Sequence, residues 1–141
     1  MSLKVYIAAP FVNKAQAVEA RDKFVEAGLD VTSRWLGEDL GLTTADLGKT
    51  EHDDVFQTRA AEDIEDILQS DVFVILNLGV SEGKATEMGF AYALGIPVIL
   101  VGERTVNVFY HLPSVFRADS VEAAIDGIRM ANNLEVVESN E

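Results

Sequence analysis

A doubly wound α/β fold, one parallel five-stranded sheet with helices on both faces, is predicted by three observations. Short apolar runs rich in β-branched residues alternate along the chain with stretches of helical period, the pattern of successive strand–helix–strand units. Those runs are apolar at consecutive positions, as expected of strands covered on both sides. With 141 residues, the chain has the size of one compact domain and little room for a second.

Residues 3–10 (LKVYIAAP) form the first such run, ended by a proline, and read as a strand buried on both faces. Residues 13–28 follow as a helix, because Ala17, Val18, Phe24 and Val25 recur at helical spacing and Gly28 supplies a stop. Residues 29–35 (LDVTSRW) read as the second strand, and the polar, glycine-containing residues 36–51 as a long loop with at most a short helical turn. Residues 53–70 are helical by period, 71–78 (DVFVILNL) a third buried strand, 85–94 a short helix and 96–102 (IPVILVG) a fourth strand. A weaker fifth strand at 115–119 (VFRAD) and an amphipathic helix from 120 to about 132 close the series. The expected organisation is a single α/β domain over residues 1–134, in a flavodoxin-like strand order, with an acidic tail at 135–141 that frays.

Charge and composition remove several classes of function. A net charge of −13, from 24 acidic against 11 basic residues, repels a phosphate backbone, so no nucleic-acid polymer is expected as a partner. Cysteine is absent and there are two histidines, which excludes thiolate chemistry and Cys-built zinc sites, and no metal is expected. No window approaches the ~18 apolar residues of a membrane span, and residues 1–10 lack the apolar length of a signal peptide. A soluble, cytoplasmic protein without membrane contact is the expectation. GVSEGKAT lacks the spacing of a phosphate-binding loop, no G-x-G-x-x-G follows the first strand, and no G-x-S-x-G elbow is present. Nor does the first strand end in the paired acids of a phosphoryl-accepting receiver; it ends in AAP.

Two carboxylates interrupt apolar helix faces. In residues 53–70 the stripe runs through Phe56, Ala60, Ile64 and Ile67; at ~100° per residue Asp63 falls within it, Glu62 and Glu65 point away, and Asp66 lies on the flank. Glu87 likewise shares a face with Phe90, Ala91 and Leu94. Burying an ionised carboxylate without partners is costly, so such residues are either paired structurally or open onto a pocket. For Asp63 the structural alternative is bonding to neighbouring loop amides. Glu87 lies in the first turn of the expected helix, where the dipole would favour its anion, beyond the carboxyl end of a parallel strand, the usual place for a ligand. Offsetting that dipole is its structural alternative. Tyr6, Ala8 and Pro10 alternate towards the exit of the first strand, so Tyr6 either reaches the same crevice or is a core tyrosine. The small residues of AAPF, from Ala8 to Phe11, allow backbone to approach a ligand there.

With these residues in place the sequence resembles the nucleoside 2-deoxyribosyltransferase family, whose relatives include nucleoside 5′-monophosphate N-glycosidases. The similarity runs through KVYIAAPF, DIEDILQSDVFVILNL, EGKATEMGFAYALGIPVILV and NVFYHLP, and its most specific part is G-x-x-x-E-x-G-x-A-x-A-x-G-x-P from Gly83 to Pro97. The resemblance implies that Glu87 is the nucleophile, Asp63 the acid/base acting on the nucleobase, and Tyr6 a residue that positions the sugar and Glu87. It also implies substrate contacts at Ala8, Pro10, Phe11, Ser81, Gly83 and Asn107. Nucleoside or nucleotide and nucleobase are the implied partners, with no cofactor.

Ser81 separates two forms of that implication. The transferases tend to carry an acid there, whereas the monophosphate glycosidases tend to carry a serine able to bond a 5′-phosphate; a plain helix cap is the alternative. AAPFVNK lacks the glycosidases' arginine and glycine pair and looks more like the transferase form, and the net charge disfavours a dianionic substrate unless Lys14 or Lys84 compensates locally. Asn107 lies in a segment that in family members helps complete a neighbouring subunit's pocket, or is an ordinary loop asparagine. A homo-oligomer, a dimer or a multiple of dimers, is implied, with Phe109, Tyr110 and Phe116 as its expected interface. Sugar transfer leads, monophosphate hydrolysis is the alternative, and a catalytically silent nucleotide-binding module is the reading from another class.

Overall fold

The computed structural model describes residues 2–37, 49–105 and 107–139. Five parallel strands, β1 (Lys4–Ala8), β2 (Asp30–Val31), β3 (Val72–Leu76), β4 (Val98–Val101) and β5 (Val115–Ala118), lie in the order β2-β1-β3-β4-β5. Helices α1 (Lys14–Glu26), α2 (Asp53–Leu68), α3 (Glu82–Ala93) and α4 (Val121–Ser139) connect and cover them. This is the expected doubly wound, flavodoxin-like class.

Strand alternation divides the core into two layers. Val5 and Ile7 of β1 face α1 and α4, where Ala17, Phe24, Ala124 and Ile128 are buried against them. Tyr6 and Ala8 face the opposite way, towards Ile67 of α2 and Met88 and Ala91 of α3. β1 pairs with β3 from Val5↔Val72 to Ala8↔Ile75, and the strand order reverses between them, so chains leaving their carboxyl ends diverge and open a crevice. Both α2 and α3 stand on the Tyr6 side of it. Gly95, with φ +78°, ends α3 in the left-handed conformation that lets the chain turn into Pro97 and β4.

Three element boundaries differ from the sequence expectation by three residues or more. β2 stops at Val31, because Ser33 and Trp35 bond to β1 through their side chains: Ser33 Oγ accepts the Ile7 N–H at 2.7 Å, and the Trp35 indole N–H donates to the Ile7 carbonyl at 2.9 Å. Arg34–Leu36 then form a 3₁₀ turn. Residues 38–48, most of the expected long loop, lie outside the described residues. A second 3₁₀ turn, Thr50–His52, leads into α2. α3 starts at Glu82, three residues earlier than expected, because Ser81 caps it. α4 runs on to Ser139, with no glycine or proline after Gly127 to stop it.

The inward side of α2 is also rotated from expectation. Asp66, placed on the flank by periodicity, is buried at 6 % exposure, whereas Ile64 is 45 % exposed. The contiguous inward row is Asp63, Asp66 and Ile67. Asp66 accepts the backbone N–H of Arg34 at 3.0 Å and its Nε–H at 2.9 Å, and Thr32 donates to the Asp66 carbonyl at 2.9 Å. These bonds tie α2 to the chain leaving β2 and fix its rotation. Arg34 is half-exposed, so loss of Asp66 strands no buried charge but removes two hydrogen bonds to a buried carboxylate. Asp66→Ala is therefore expected to destabilise the protein by about 2 kcal/mol, and Glu65→Ala, which loses only an exposed pair, by under about 1 kcal/mol in urea unfolding.

Candidate active site

Tyr6 is the fixed point of the crevice. Its ring is fully buried, stacked on Phe73 with centroids 5.4 Å apart and planes 12° from parallel, and its hydroxyl donates to Glu87 Oε2. Strand alternation turns Tyr6 to the α2–α3 side, and Met88 and Ala91 pack α3 on the sheet, bringing Glu87 beside it. Because α3 starts at Glu82, Glu87 stands in the second turn and not the first, beyond the reach of the terminal dipole. Leu94, expected on the same inward face, is 48 % exposed.

The electrostatics of Glu87 reverse the sequence argument. Burial raises its pKa from 4.5 to about 7, the Tyr6 hydrogen bond pulls it down, and the charge of Asp63 raises it further. Asp63 is raised from 3.8 to about 6, chiefly by burial and then by Asp66, with Arg59 lowering it, Glu62 raising it and Arg34 lowering it. Tyr6 is raised by burial and then by Glu87 and Asp63, so it stays a protonated donor. Groups from β1, α2 and α3 thus converge on one end of the sheet closely enough to bias one another's protons. An ionised carboxylate held by a phenol beside a second carboxylic acid can attack an electrophilic carbon while its neighbour gives a proton to the leaving group.

The remaining sequence candidates are spread around this centre. Ala8 and Pro10 are buried at the exit of β1, and Gly79, in the turn after β3, passes so near that a Cβ there would lie 3.9 Å from Pro10 Cγ. Phe11 opens a 3₁₀ turn and is 52 % exposed. Ser81 Oγ accepts the Lys84 N–H at 3.2 Å, and Gly83 is exposed in the first turn of α3. Asn107 Oδ1 accepts the Phe109 N–H at 2.9 Å and caps the 3₁₀ turn Val108–His111 of its own chain. Tyr110 is buried in the core of the domain, which removes it from the expected interface, while Phe109 and Phe116 are exposed. Among the described residues no group of three His, Cys, Asp or Glu side chains could hold a metal ion, and no helix is long and apolar enough to cross a membrane.

Lys84 corrects a further expectation. It does not face solvent where it could meet an anionic substrate: it is 2 % exposed, and its ammonium donates to Asn77 Oδ1 at 2.8 Å and to the Gly79 carbonyl at 2.5 Å. Burial lowers its pKa. Extending the α3 stripe back from Ala91 and Met88 by four more residues would have flagged it. Nothing in the local sequence marks the Asp66–Arg34 pair, which joins residues distant in the chain.

Comparison with known proteins places this geometry in context. The family model described as nucleoside 2-deoxyribosyltransferase matches residues 5–135. Among solved structures, the chain is similar to the CMP N-glycosidase BcmB of Clostridium botulinum (17 % identity, TM-score 0.55), covering 90 % of this chain and 98 % of that one. A conserved protein from Enterococcus faecalis V583 matches at 17 % identity and TM-score 0.62, over 93 % of this chain and 99 % of that one. A 2-deoxyribosyltransferase from Bacillus psychrosaccharolyticus matches at 23 % identity and TM-score 0.57, over 86 % and 90 %. No curated protein matches at the sequence level.

Because the folded pKa of Glu87 lies above its unfolded value, the stability gained by keeping it protonated is complete below pH 4.5 and lost as pH rises through about 7. Glu87→Gln cannot ionise and so avoids a penalty of about 3 kcal/mol at most. Thermal melts are expected to show its Tm about 5 °C above wild type at pH 8 and level with wild type at pH 4.

Proposed function

The chain belongs to the nucleoside 2-deoxyribosyltransferase family, and from that premise we propose that it breaks the N-glycosidic bond of a 2′-deoxynucleoside and transfers the sugar to another nucleobase through a glycosyl ester on Glu87. The observation that carries this reading is the hydrogen bond from buried Tyr6 to Glu87, made where Asp63 faces the same end of the sheet. In the first step a Glu87 oxygen forms a bond to C1′ as the C1′–N bond breaks. The bonding pair leaves with the base, which takes the proton of Asp63. In the second, a nitrogen of the incoming base attacks C1′, its proton returns to Asp63, and the ester bond breaks to restore the Glu87 carboxylate. Two inversions leave the anomeric configuration unchanged, as in retaining glycosidases. Tyr6 aligns the nucleophile throughout.

A substrate without a phosphate accords with the charge of the chain and with Lys84, the cation nearest the turn after β3, being committed to Asn77 and Gly79. One feature favours a second reading, hydrolysis of a nucleoside 5′-monophosphate: Ser81 Oγ accepts from Lys84 and keeps its own O–H to donate to such a group. The productive form needs Glu87 ionised and Asp63 protonated, whereas burial raises both carboxyls and favours the proton on Glu87, so the productive form is the minor one of the singly protonated pair.

Incubation with a deoxynucleoside and a second free base is expected to yield the new nucleoside; free base from a monophosphate alone would instead support hydrolysis, and binding without turnover would sink both in favour of a silent module. The pH dependence of kcat/KM is expected to be bell-shaped, with apparent pKa values near 6 and 7 that belong to the pair. Glu87→Ala should lower kcat by at least about a thousandfold. We further propose a homo-oligomer built on the exposed Phe109 and Phe116; sedimentation at micromolar concentration is expected to show a dimer or a multiple of dimers, and Phe109→Asp to shift it towards monomer.

A further inference from the structure

Lys84 is the one buried cation among the described residues, and the chemistry above does not use it. Its ammonium spans from α3 to two points of the turn after β3, Asn77 Oδ1 and the Gly79 carbonyl, and lies 5.8 Å over the centre of the buried Tyr110 ring. The connection continues outward. Asn77 Nδ2 donates to the Glu103 carbonyl at 2.5 Å and to Thr105 Oγ1 at 3.2 Å, in the segment after β4. The backbone N–H of Lys84 closes the other end of the turn on Ser81 Oγ. Two side chains in series, Lys84 and Asn77, therefore join the turns at the carboxyl ends of β3 and β4 to the helix that carries Glu87.

Burying an ammonium is unfavourable unless its donors are met, and an apolar side chain of similar length would fill the same space over Tyr110 without that cost. What the apolar residue could not do is hold Asn77 and Gly79. Loops take their shape from such bonds when their backbone is not part of a sheet or helix. Glu87 is held separately, by Tyr6 and the packing of α3, so the two supports are divisible.

We propose that Lys84 is a positioning residue that fixes the turns 77–81 and 103–105 in one arrangement and so sets the shape of the crevice that receives the substrate, without aligning the nucleophile. This rests on the enzymatic reading above. It also makes a separate claim about the backbone that holds whether or not that reading does.

The test uses the full chain with Lys84→Met, which keeps the length and loses the donors, and Lys84→Gln, whose amide can give two hydrogen bonds without charge. Amide hydrogen exchange is expected to quicken in residues 78–82 and 103–105 of Lys84→Met and to stay at wild-type rates around Tyr6. Steady-state kinetics should show KM raised about tenfold with kcat within about threefold of wild type, and Lys84→Gln should recover most of the KM. Unchanged exchange in both turns overturns the proposal, as does a fall in kcat at constant KM or a lower Tm with both constants unchanged. If the wild-type chain turns over no nucleoside while exchange responds as stated, the enzymatic reading fails and the strut stands.

Discussion

The hydrogen bond from Tyr6 to Glu87 is the constraint around which the rest is arranged. Its donor comes from the central strand, locked by Phe73 and without freedom to follow a moving partner. Its acceptor comes from the second turn of α3, so the rotation of that helix on the sheet decides whether the bond exists. Met88 and Ala91 set the rotation by packing, and Ser81 and Gly95 set where the helix begins and ends. A buried carboxylate met by a neutral donor is held above its solution pKa, and that poise follows from location more than from any charged neighbour.

The opposite wall is built by a different device. Asp63 owes its position to Asp66 one turn further along α2, which grips both the backbone and the side chain of Arg34. The two acids share a helix face and divide the work: Asp66 is neutralised and structural, whereas Asp63 is left with a raised pKa. Lys84 is the counterpart of Asp66 on α3, a buried charge spent entirely on protein atoms beside a carboxylate that is not. Each helix at the crevice thus carries one buried ion committed to protein atoms and one acid whose pKa is raised by burial.

How far the sequence was legible follows from the range of each interaction. Strands β1, β3 and β4 could be read because residues buried on both faces leave an uninterrupted apolar run, which is a local signal. β2 could be read in place but not in length, since Thr32 to Trp35 meet β1 partly through side chains that look like any strand in the sequence. Periodicity brought Asp63 and Glu87 inward, but it took Ile64 as part of the buried row and so set Asp66 aside; the partner that decides the matter, Arg34, is remote in the chain. A helix starting at residue 85 puts Glu87 in a first turn where the dipole favours its anion, whereas the Ser81 cap sets the start at Glu82 and leaves Glu87 a turn further in. The sequence leaves Lys84 open to compensating an anionic substrate, and only the fold reveals that its reach ends on Asn77 and Gly79.

The shortness of β2 has a consequence for how the molecule behaves in a crowd. With β2 ending at Val31, the upper part of β1 would present an unsatisfied rim on its outer flank, the kind of template that recruits foreign strands into aggregates. Ser33 and Trp35 occupy the amide and the carbonyl of Ile7 there, stoppering the rim with side chains that cannot propagate a ladder. The outer rim of β1 therefore stays unavailable for adhesion to other chains.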